Sequence, residues 1–385
     1  MKTFGRILSY LGVALLACIL TLTAVTLKPV NPPSKLDELS TLIEDKFIGE
    51  ADQTAMEDAA AYGMVASLGD RWSHYIPAAD FAEYMEQMEN AYVGIGVTIS
   101  GEKKEEGFEI LAVTPDGPAQ EAGLQEGDIL TRVDGCKVGN MTLDEIRELI
   151  RGTEGTPVTL SYLRNGTAGS CDVIRKSIQV KVASGQMLSG HVGYVQIVNF
   201  SDRCAQETIS IIEDLIGKGA DSFVFDVRFN PGGYAHELVA LLDYLLPEGP
   251  VFRTVDYAGR ESVENSDAEF LDMPMVVLVN GESYSAAEFF AAALQEYEAA
   301  EVVGQPTCGK GYFQSTFQLS DGSAVGLSIG EYFTPQEHNL AGIGITPDRT
   351  VPVDEETFRL IYMKKLPPEQ DPQIQAALDL LDENR

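Results

Sequence analysis

Residues 275–294 read MVVLVNGESYSAAEFFAAAL, in which an apolar run, a polar turn and a second apolar segment follow one another directly. We predict a strand over 275–279 and a helix over 286–297. Strand and helix recur in the same order at 192–198 with 202–218 and at 222–227 with 235–246, and a further strand is predicted at 301–303. This alternation predicts an α/β fold, in which βαβ crossovers build a largely parallel sheet covered by helices.

Ser285, in the turn of this stretch, has two interpretations. Ser285-Ala-Ala-Glu288 fits a capping box, in which the serine hydroxyl and the glutamate carboxylate accept hydrogen bonds from the first amides of a helix. Alternatively, Ser285 is a nucleophile held at the helix N-terminus. The sequence of this turn does not decide between the two interpretations. The neighbouring loops provide the further evidence.

Three polar or glycine-rich loops follow the predicted parallel strands. They are 228–233 (RFNPGG), 280–285 (NGESYS) and 304–311 (GQPTCGKG). Ligands of open α/β sheets bind beyond the carboxyl ends of the strands. If the strands are neighbours, all three loops lie at one edge of the sheet, which favours Ser285 as a nucleophile.

A serine nucleophile needs a base. His236 is a weak candidate, because it projects from the next helix and no aspartate is placed to orient it. Lys310 is the better candidate, because Gly309 and Gly311 leave space around it. Burial would lower the pKa of its amine and so favour the neutral form that a base needs. Gln314 follows four residues later and is predicted to hold that amine by a hydrogen bond.

The oxyanion of an acyl-transfer reaction needs amide donors. Gly232 and Gly233 offer backbone amides without side chains in the way. Ala286 offers a third amide at the start of a helix, where the helix dipole favours negative charge. Cys308 is interpreted as a small buried hydrophobic residue and not as a nucleophile.

The charge balance excludes one class of partner. The 385 residues include 27 Lys and Arg against 59 Asp and Glu, a net charge of −32 at pH 7. Nucleic acid is therefore not expected as a partner, because binding phosphates needs clustered basic side chains. The five cysteines form no CxxC pair and the four histidines are scattered, so neither a metal site nor a cofactor is predicted.

The first thirty residues predict a targeting segment. Residues 7–27 carry no charge, and Lys2 and Arg6 precede them. This pattern predicts an uncleaved single-pass membrane anchor with the catalytic part outside the cytoplasm. The alternative is a cleaved signal sequence that leaves a secreted protein, or one attached to lipid at Cys18.

We divide the chain into five predicted segments. They are a membrane anchor or signal sequence over 1–29, a helical segment over 30–90, a compact domain of short strands over 91–180, an α/β core over 181–365 and a helical tail over 366–385.

The ordered motifs resemble the C-terminal processing peptidases, also called tail-specific proteases. The segments that carry the resemblance are 61–75, 93–97 (VGIGV), 117–130 (GPAQEAGLQEGDIL), 225–233 (FDVRFNPGG), 277–294, 306–314 (PTCGKGYFQ), 344–348 (GITPD) and 371–381. The resemblance implies a serine endopeptidase with a crotonase/ClpP-like core and an inserted PDZ domain over 91–180. It also implies that Ser285 is the nucleophile, Lys310 the general base and Gln314 its companion.

The resemblance also implies how substrates are chosen. A PDZ domain adds an extended peptide to a sheet edge and captures its terminal carboxylate, here at Gly94, Ile95 and Gly96. The expected substrates are exported proteins with free C-terminal tails. A homodimer joined through the helical segments 35–68 and 371–382 is expected as well.

The sequence departs from the family pattern near the expected cleft. Tyr284 stands where the family usually has alanine, Cys308 where it usually has an aromatic residue, and Glu331 where it has a basic or small one. Two alternative functions stay open. One is a catalytically inactive PDZ-type peptide receptor or scaffold on a protease fold, and the other is a hydrolase of non-peptide esters.

Overall fold

The computed structural model describes residues 34–383. The chain divides into two compact units, the second beginning at Trp72. The described part of the first unit contains two helices, α1 (Lys35–Lys46) and α2 (Gln53–Ala66). Each begins at a polar N-cap, Ser34 for α1 and Asp52 for α2, whose side chain accepts a hydrogen bond from a backbone amide of the first turn.

The predicted membrane anchor falls on residues 7–27, outside the described residues. Across residues 34–383, no helix is both long enough and apolar enough to span a bilayer. The first two described helices have 12 and 14 residues, whereas a span needs about 20 apolar residues. The predicted single-pass membrane location is therefore not borne out by the described residues.

The second unit begins with a strand and a helix, followed by a small domain of short strands. Its elements are β1 (His74–Ile76), α3 (Phe81–Glu89), β2 (Ala91–Gly94), β3 (Val97–Lys103), β4 (Phe108–Val113), α4 (Pro118–Glu121), β5 (Ile129–Val133), β6 (Cys136–Lys137), α5 (Leu143–Ile150), β7 (Pro157–Arg164), β8 (Thr167–Ile174) and β9 (Lys176–Gln179). Strands β2 and β9 pair antiparallel where the chain enters and leaves this domain. Between them, the sheet order β3-β4-β5-β7-β8 leaves β3 at one edge.

The remaining elements form a larger α/β body. They are β10 (Ala183–Met187), β11 (Val192–Ile197), α6 (Cys204–Gly217), β12 (Ser222–Asp226), α7 (Ala235–Leu245), β13 (Gly249–Asp256), β14 (Glu261–Ser266), β15 (Met275–Val279), α8 (Ala286–Glu296), β16 (Ala300–Gly304), β17 (Tyr312–Gln318), β18 (Ala324–Phe333), β19 (Arg349–Thr350), α9 (Glu355–Tyr362) and α10 (Pro372–Glu383). One sheet has the order β10-β11-β12-β15-β16-β19, and all its pairs beyond β10 are parallel.

The parallel sheet is covered on both faces, as its apolar strands require. In β12, Phe223 and Phe225 pack in the core formed with α6, α7 and α8, whereas Val224 packs in the core formed with α10. The apolar face of α10, including Ile374 and Leu380, is thus buried against the sheet of its own chain. This face of α10 is therefore occupied within its own chain, and the expectation that 371–382 joins two copies stays a prediction for the other faces of the helix.

A second sheet in this body is antiparallel, and the sequence does not predict it. Strands β1, β18, β13 and β14 pair in that order, and β17 pairs with β18. This sheet begins directly after the loop that carries Lys310, because β17 starts at Tyr312.

Candidate active site

Ser285 lies at the turn between β15 and α8, with backbone angles φ 58° and ψ −127°. An L-residue rarely adopts such a positive φ, and conformations of this kind cluster at functional sites. A sharp strand-to-helix turn of this sort presents the side chain of its central residue. Ser285 is 6% exposed. The backbone at this position is thus strained in a way that capping does not require, since N-cap residues normally adopt extended angles.

The hydrogen bonds at the helix start show how Ser285 and Glu288 cap α8. The Ser285 amide donates to Oε2 of Glu288 at 2.9 Å, which is one half of a capping box. The Glu288 amide donates to the carbonyl oxygen of Ser285 at 2.8 Å. The cap is therefore made mainly by the Ser285 backbone, while the hydroxyl occupies the capping-box position that faces the Glu288 amide.

Glu288 is a fully buried carboxylate that joins two loops. Besides the Ser285 amide, Oε2 accepts from the amide of Lys310 at 2.8 Å. Its other oxygen, Oε1, accepts from the Gly309 amide at 2.7 Å and the Thr307 hydroxyl at 2.5 Å. Four donors therefore stabilise the buried carboxylate, and the carboxylate fixes the Lys310 loop to the Ser285 turn. The sequence indicates only a helix cap at Glu288, so this role is missed without the structure.

The Lys310 amine lies against two aromatic rings. Its Nζ is 4.7 Å from the centroid of the Trp72 ring and 5.9 Å from that of Tyr284. The two rings are themselves 5.9 Å apart, and burial raises the pKa of the Tyr284 hydroxyl. The half-buried Lys310 side chain is thus flanked by aromatic walls, one of which immediately precedes Ser285.

The glycine loop lies directly against Ser285. A Cβ atom on Gly232 would lie 2.8 Å from the Ser285 Cβ and 2.9 Å from the Ala286 amide nitrogen, so a side chain cannot be accommodated there. The Gly232 amide itself donates to Oδ1 of Asn230 at 2.8 Å. Asn230 in turn donates to the carbonyl of Ile197 at 2.8 Å, which fixes the loop to β11.

One of the three predicted oxyanion donors, the Gly232 amide, therefore already donates a hydrogen bond to Asn230. Within residues 34–383, the amides of Gly233 and Ala286 donate to no acceptor. They remain open to a ligand, and Ala286 supplies the first amide of α8.

Gln314 does not make the predicted contact with the Lys310 amine. Its Nε2 donates to the Tyr312 carbonyl at 3.1 Å and to the Ser328 hydroxyl at 3.0 Å. The β17–β18 pairing is irregular between Phe313 and Gln314. The side chain therefore serves the antiparallel sheet, which the sequence does not predict.

A buried charged cluster below the glycine loop is also missed by sequence reasoning. The Arg228 guanidinium contacts Asp226 at 2.6 Å and Asp371 at 2.8 Å, and it donates to Gln373 at 2.8 Å. Burial acts against this charge, but the two carboxylates outweigh it and hold the pKa of Arg228 above its usual value. The cluster fixes the start of the loop at 228–233 to the N-terminus of α10. In the sequence, this cluster is indicated by a pair of oppositely charged residues at the end of an apolar strand.

The remaining candidate residues have other surroundings. Gly94, Ile95 and Gly96 line a groove between β3 and α5. The His236 side chain is 72% exposed and its ring stacks on Tyr234 at 5.1 Å. Among the described residues, no group of acidic, histidine or cysteine side chains has the arrangement of a metal site.

Comparisons with known proteins bear on the family of the chain. The profile of peptidase family S41 matches residues 191–351, and the profile of a PDZ domain matches residues 109–164. A carboxyl-terminal-processing protease from Synechocystis sp. is 32% identical over 353 residues, which cover 88% of this chain and 80% of the relative. The carboxy-terminal processing protease CtpA of Bacillus subtilis is 32% identical over 323 residues, which cover 82% and 68%.

One solved structure shows the same fold. A protein from Bacteroides fragilis assigned to the S41 proteases superposes with a TM-score of 0.54 at 18% identity, over 93% of this chain and 99% of that one. The profiles and the relatives confirm the family resemblance and the PDZ domain predicted from the sequence. The chain therefore belongs to the carboxyl-terminal-processing proteases of peptidase family S41, which are serine peptidases.

Proposed function

We propose that the chain is an endopeptidase that binds the C-terminal tails of proteins through its PDZ domain and cleaves with a Ser285–Lys310 pair. The observation that carries the proposal is the backbone of Ser285, held at φ 58° against Gly232 at the N-terminus of α8. Glu288 supports the pairing, since it binds the amides of both Ser285 and Lys310. We also propose that the parallel sheet has the architecture of crotonase/ClpP-like cores.

The chemistry follows from these positions. The Ser285 hydroxyl attacks the scissile carbonyl carbon while the neutral amine of Lys310 takes its proton. The resulting oxyanion accepts hydrogen bonds from the amides of Gly233 and Ala286. The Lys310 ammonium then gives the proton to the leaving amine, which departs and leaves an ester on Ser285. Water, deprotonated by Lys310, hydrolyses that ester and restores the hydroxyl.

The neutral form of Lys310 is the form that catalysis needs. An amine flanked by aromatic rings loses hydration, and this loss disfavours the ammonium, while the ring faces attract it. Protonation at low pH removes the base. We therefore expect the cleavage rate to rise with pH, and a rate that does not change between about pH 6 and 9 contradicts a lysine base.

The test uses an unfolded protein substrate and mass spectrometry of the products. Ser285→Ala and Lys310→Ala are each expected to abolish cleavage. The matched controls Ser210→Ala and Lys218→Ala, on or next to the outer face of α6, are expected to cleave as the wild type does. A peptide receptor on an inactive protease fold predicts instead that the wild type binds tails and cleaves nothing. Turnover of small esters without cleavage of tagged peptides favours the ester hydrolase.

A further inference from the structure

The PDZ groove has a surface suited to an extended peptide. A cavity of about 360 Å³ lies between β3 and α5, with apolar side chains from Ile95, Val97, Leu143 and Ile150. Within the part of the chain that the structure describes, no strand pairs with the outer edge of β3. A peptide can therefore add to that edge as a further strand. Any selectivity of the groove among tails rests on the proposed function, in which this groove captures them.

Two arginines give the groove a positive side. Arg147 and Arg151 are the charged residues among those that line the cavity. The acidic side chain of Glu145, on the same helix, is held in the N-terminal cap by Thr142 and does not line it. The charged residues that line the groove are therefore both basic, in a chain with 59 acidic and 27 basic residues.

The direction of a bound tail follows from Glu86 of α3. Its Oε1 contacts the amide of Val93 at 3.5 Å, and its Oε2 lies 3.4 Å from Arg151. The C-terminal end of α5 therefore lies beside the start of the loop at 94–96, where the terminal carboxylate would bind. Going back along α5 from Arg151 to Arg147 leads away from that loop, toward earlier residues of the tail.

The two arginines differ in how they are engaged. Arg151 contacts both Glu83 and Glu86 of α3, at 3.8 and 3.4 Å, and its side chain is 28% exposed. The Arg147 side chain is 53% exposed and contacts Asp144, itself 82% exposed, at 3.2 Å. Exposed pairs of this kind contribute little. An incoming carboxylate can therefore take the Arg147 guanidinium from Asp144.

Spacing assigns the tail position that meets Arg147. Arg147 lies three residues before Ile150, about 4.5 Å along the helix axis, and its long side chain tilts further toward the helix N-terminus. Side chains on one face of an extended peptide repeat every ~6.7 Å. We propose that Arg147 selects tails that carry Asp or Glu two residues before an apolar C-terminal residue. The last side chain packs against Ile95 and Ile150, and the acidic one pairs with Arg147.

The test measures the binding of labelled peptides to the full chain carrying Ser285→Ala, by fluorescence anisotropy. The peptides end in a free Val and differ only two residues before it, where they carry Glu, Gln or Lys. We expect the Glu peptide to bind about two- to fivefold more tightly than the Gln peptide, because an ion pair with the half-exposed Arg147 contributes up to about 1 kcal/mol. The difference should shrink as salt is added.

Variants identify the residue responsible. Arg147→Glu is expected to bind the Lys peptide better than the Glu peptide, and Arg147→Lys to keep the original order. Lys137→Glu makes the same change of charge on β6 outside the groove and is expected to leave the ratio unchanged.

The outcomes distinguish this inference from tail capture itself. Equal binding of the three peptides, with the free carboxylate still required, overturns the role of Arg147 and leaves tail capture standing. If a C-terminally amidated peptide binds as tightly as the free acid, tail capture fails and the role of Arg147 falls with it.

Discussion

Replacing Glu288 by glutamine tests whether one buried carboxylate sets the geometry between Ser285 and Lys310. The change keeps the size of the side chain but turns one acceptor oxygen into an NH2 group. In the structure, Oε2 accepts from the amides of Ser285 and Lys310, and Oε1 accepts from the Thr307 hydroxyl and the Gly309 amide. Either placement of the new amide therefore turns NH2 toward two existing donors.

The less costly placement turns the NH2 toward Thr307, whose hydroxyl can rotate and accept a hydrogen bond. The Gly309 amide is then left buried without an acceptor, at about 1–3 kcal/mol. The remaining bonds also lose their charge, so we expect the free energy of unfolding to fall by about 2–4 kcal/mol. A shift of the Lys310 loop by up to an ångström lowers kcat about a hundredfold, while KM stays nearly constant because the PDZ groove is untouched.

The assay pairs chemical denaturation with steady-state cleavage of a tagged protein. Glu296→Gln is the matched control, because Glu296 ends the same helix and accepts from the Thr334 hydroxyl at 2.6 Å and the Gln336 amide at 2.8 Å. We expect it to lose comparable stability but to keep the kcat of the folded enzyme. If Glu288→Gln is destabilised and still cleaves at the wild-type kcat, the carboxylate does not position the pair.

Three other changes test separate parts of the site. Gly232→Ala should lower kcat at least about a hundredfold, because its Cβ would lie 2.8 Å from that of Ser285. Asp371→Ala should lower the free energy of unfolding by about 3–5 kcal/mol, because it removes one carboxylate from the buried Arg228. Burial raises the pKa of the Cys204 thiol to about 12, so this residue should resist alkylation in the native protein at neutral pH.

Each of these has a control in the same chain. Gly259→Ala also meets a positive φ, 74°, but no atom lies within 4 Å of its Cβ, so activity should persist. Asp379→Ala changes an exposed position of α10 and should leave unfolding nearly unaltered. Cys136 is exposed and should be alkylated readily. Activity in Gly232→Ala, an unchanged unfolding midpoint in Asp371→Ala or native labelling of Cys204 would each contradict the corresponding argument.

The parallel sheet could be predicted because its strands are short apolar runs separated by helices with buried faces. All five residues of β12 and of β15 are buried, as their sequences SFVFD and MVVLV indicate. The antiparallel sheet could not be predicted in the same way. Strand β14 reads ESVENS and buries one residue, so neither alternation nor an apolar run marks it. Its pairing depends on β13 and not on its own pattern.

The loops that form the candidate site could be predicted from the sequence, but the contacts among their residues could not. Ser285 and Lys310 follow from the rule that sites lie at the carboxyl ends of parallel strands. The contact between Glu288 and the Lys310 amide joins positions 22 residues apart and has no local signature. Gln314 has the spacing expected of a residue that contacts Lys310. Its side-chain amide instead donates hydrogen bonds within β17 and β18, which belong to the sheet that the sequence does not predict.

Two buried ionic groups explain how three loops can hold a strained turn. Glu288 joins the Ser285 turn to the Lys310 loop, and Arg228 joins the glycine loop to α10 through Asp371. A loop held only by its own turn would relax a positive φ at a serine, since that conformation costs about 1–3 kcal/mol. Here relaxation of the turn would strip acceptors from buried amides, which costs a similar amount for each bond. The strained backbone of Ser285 therefore persists because the neighbouring loops are held in place by buried ionic groups.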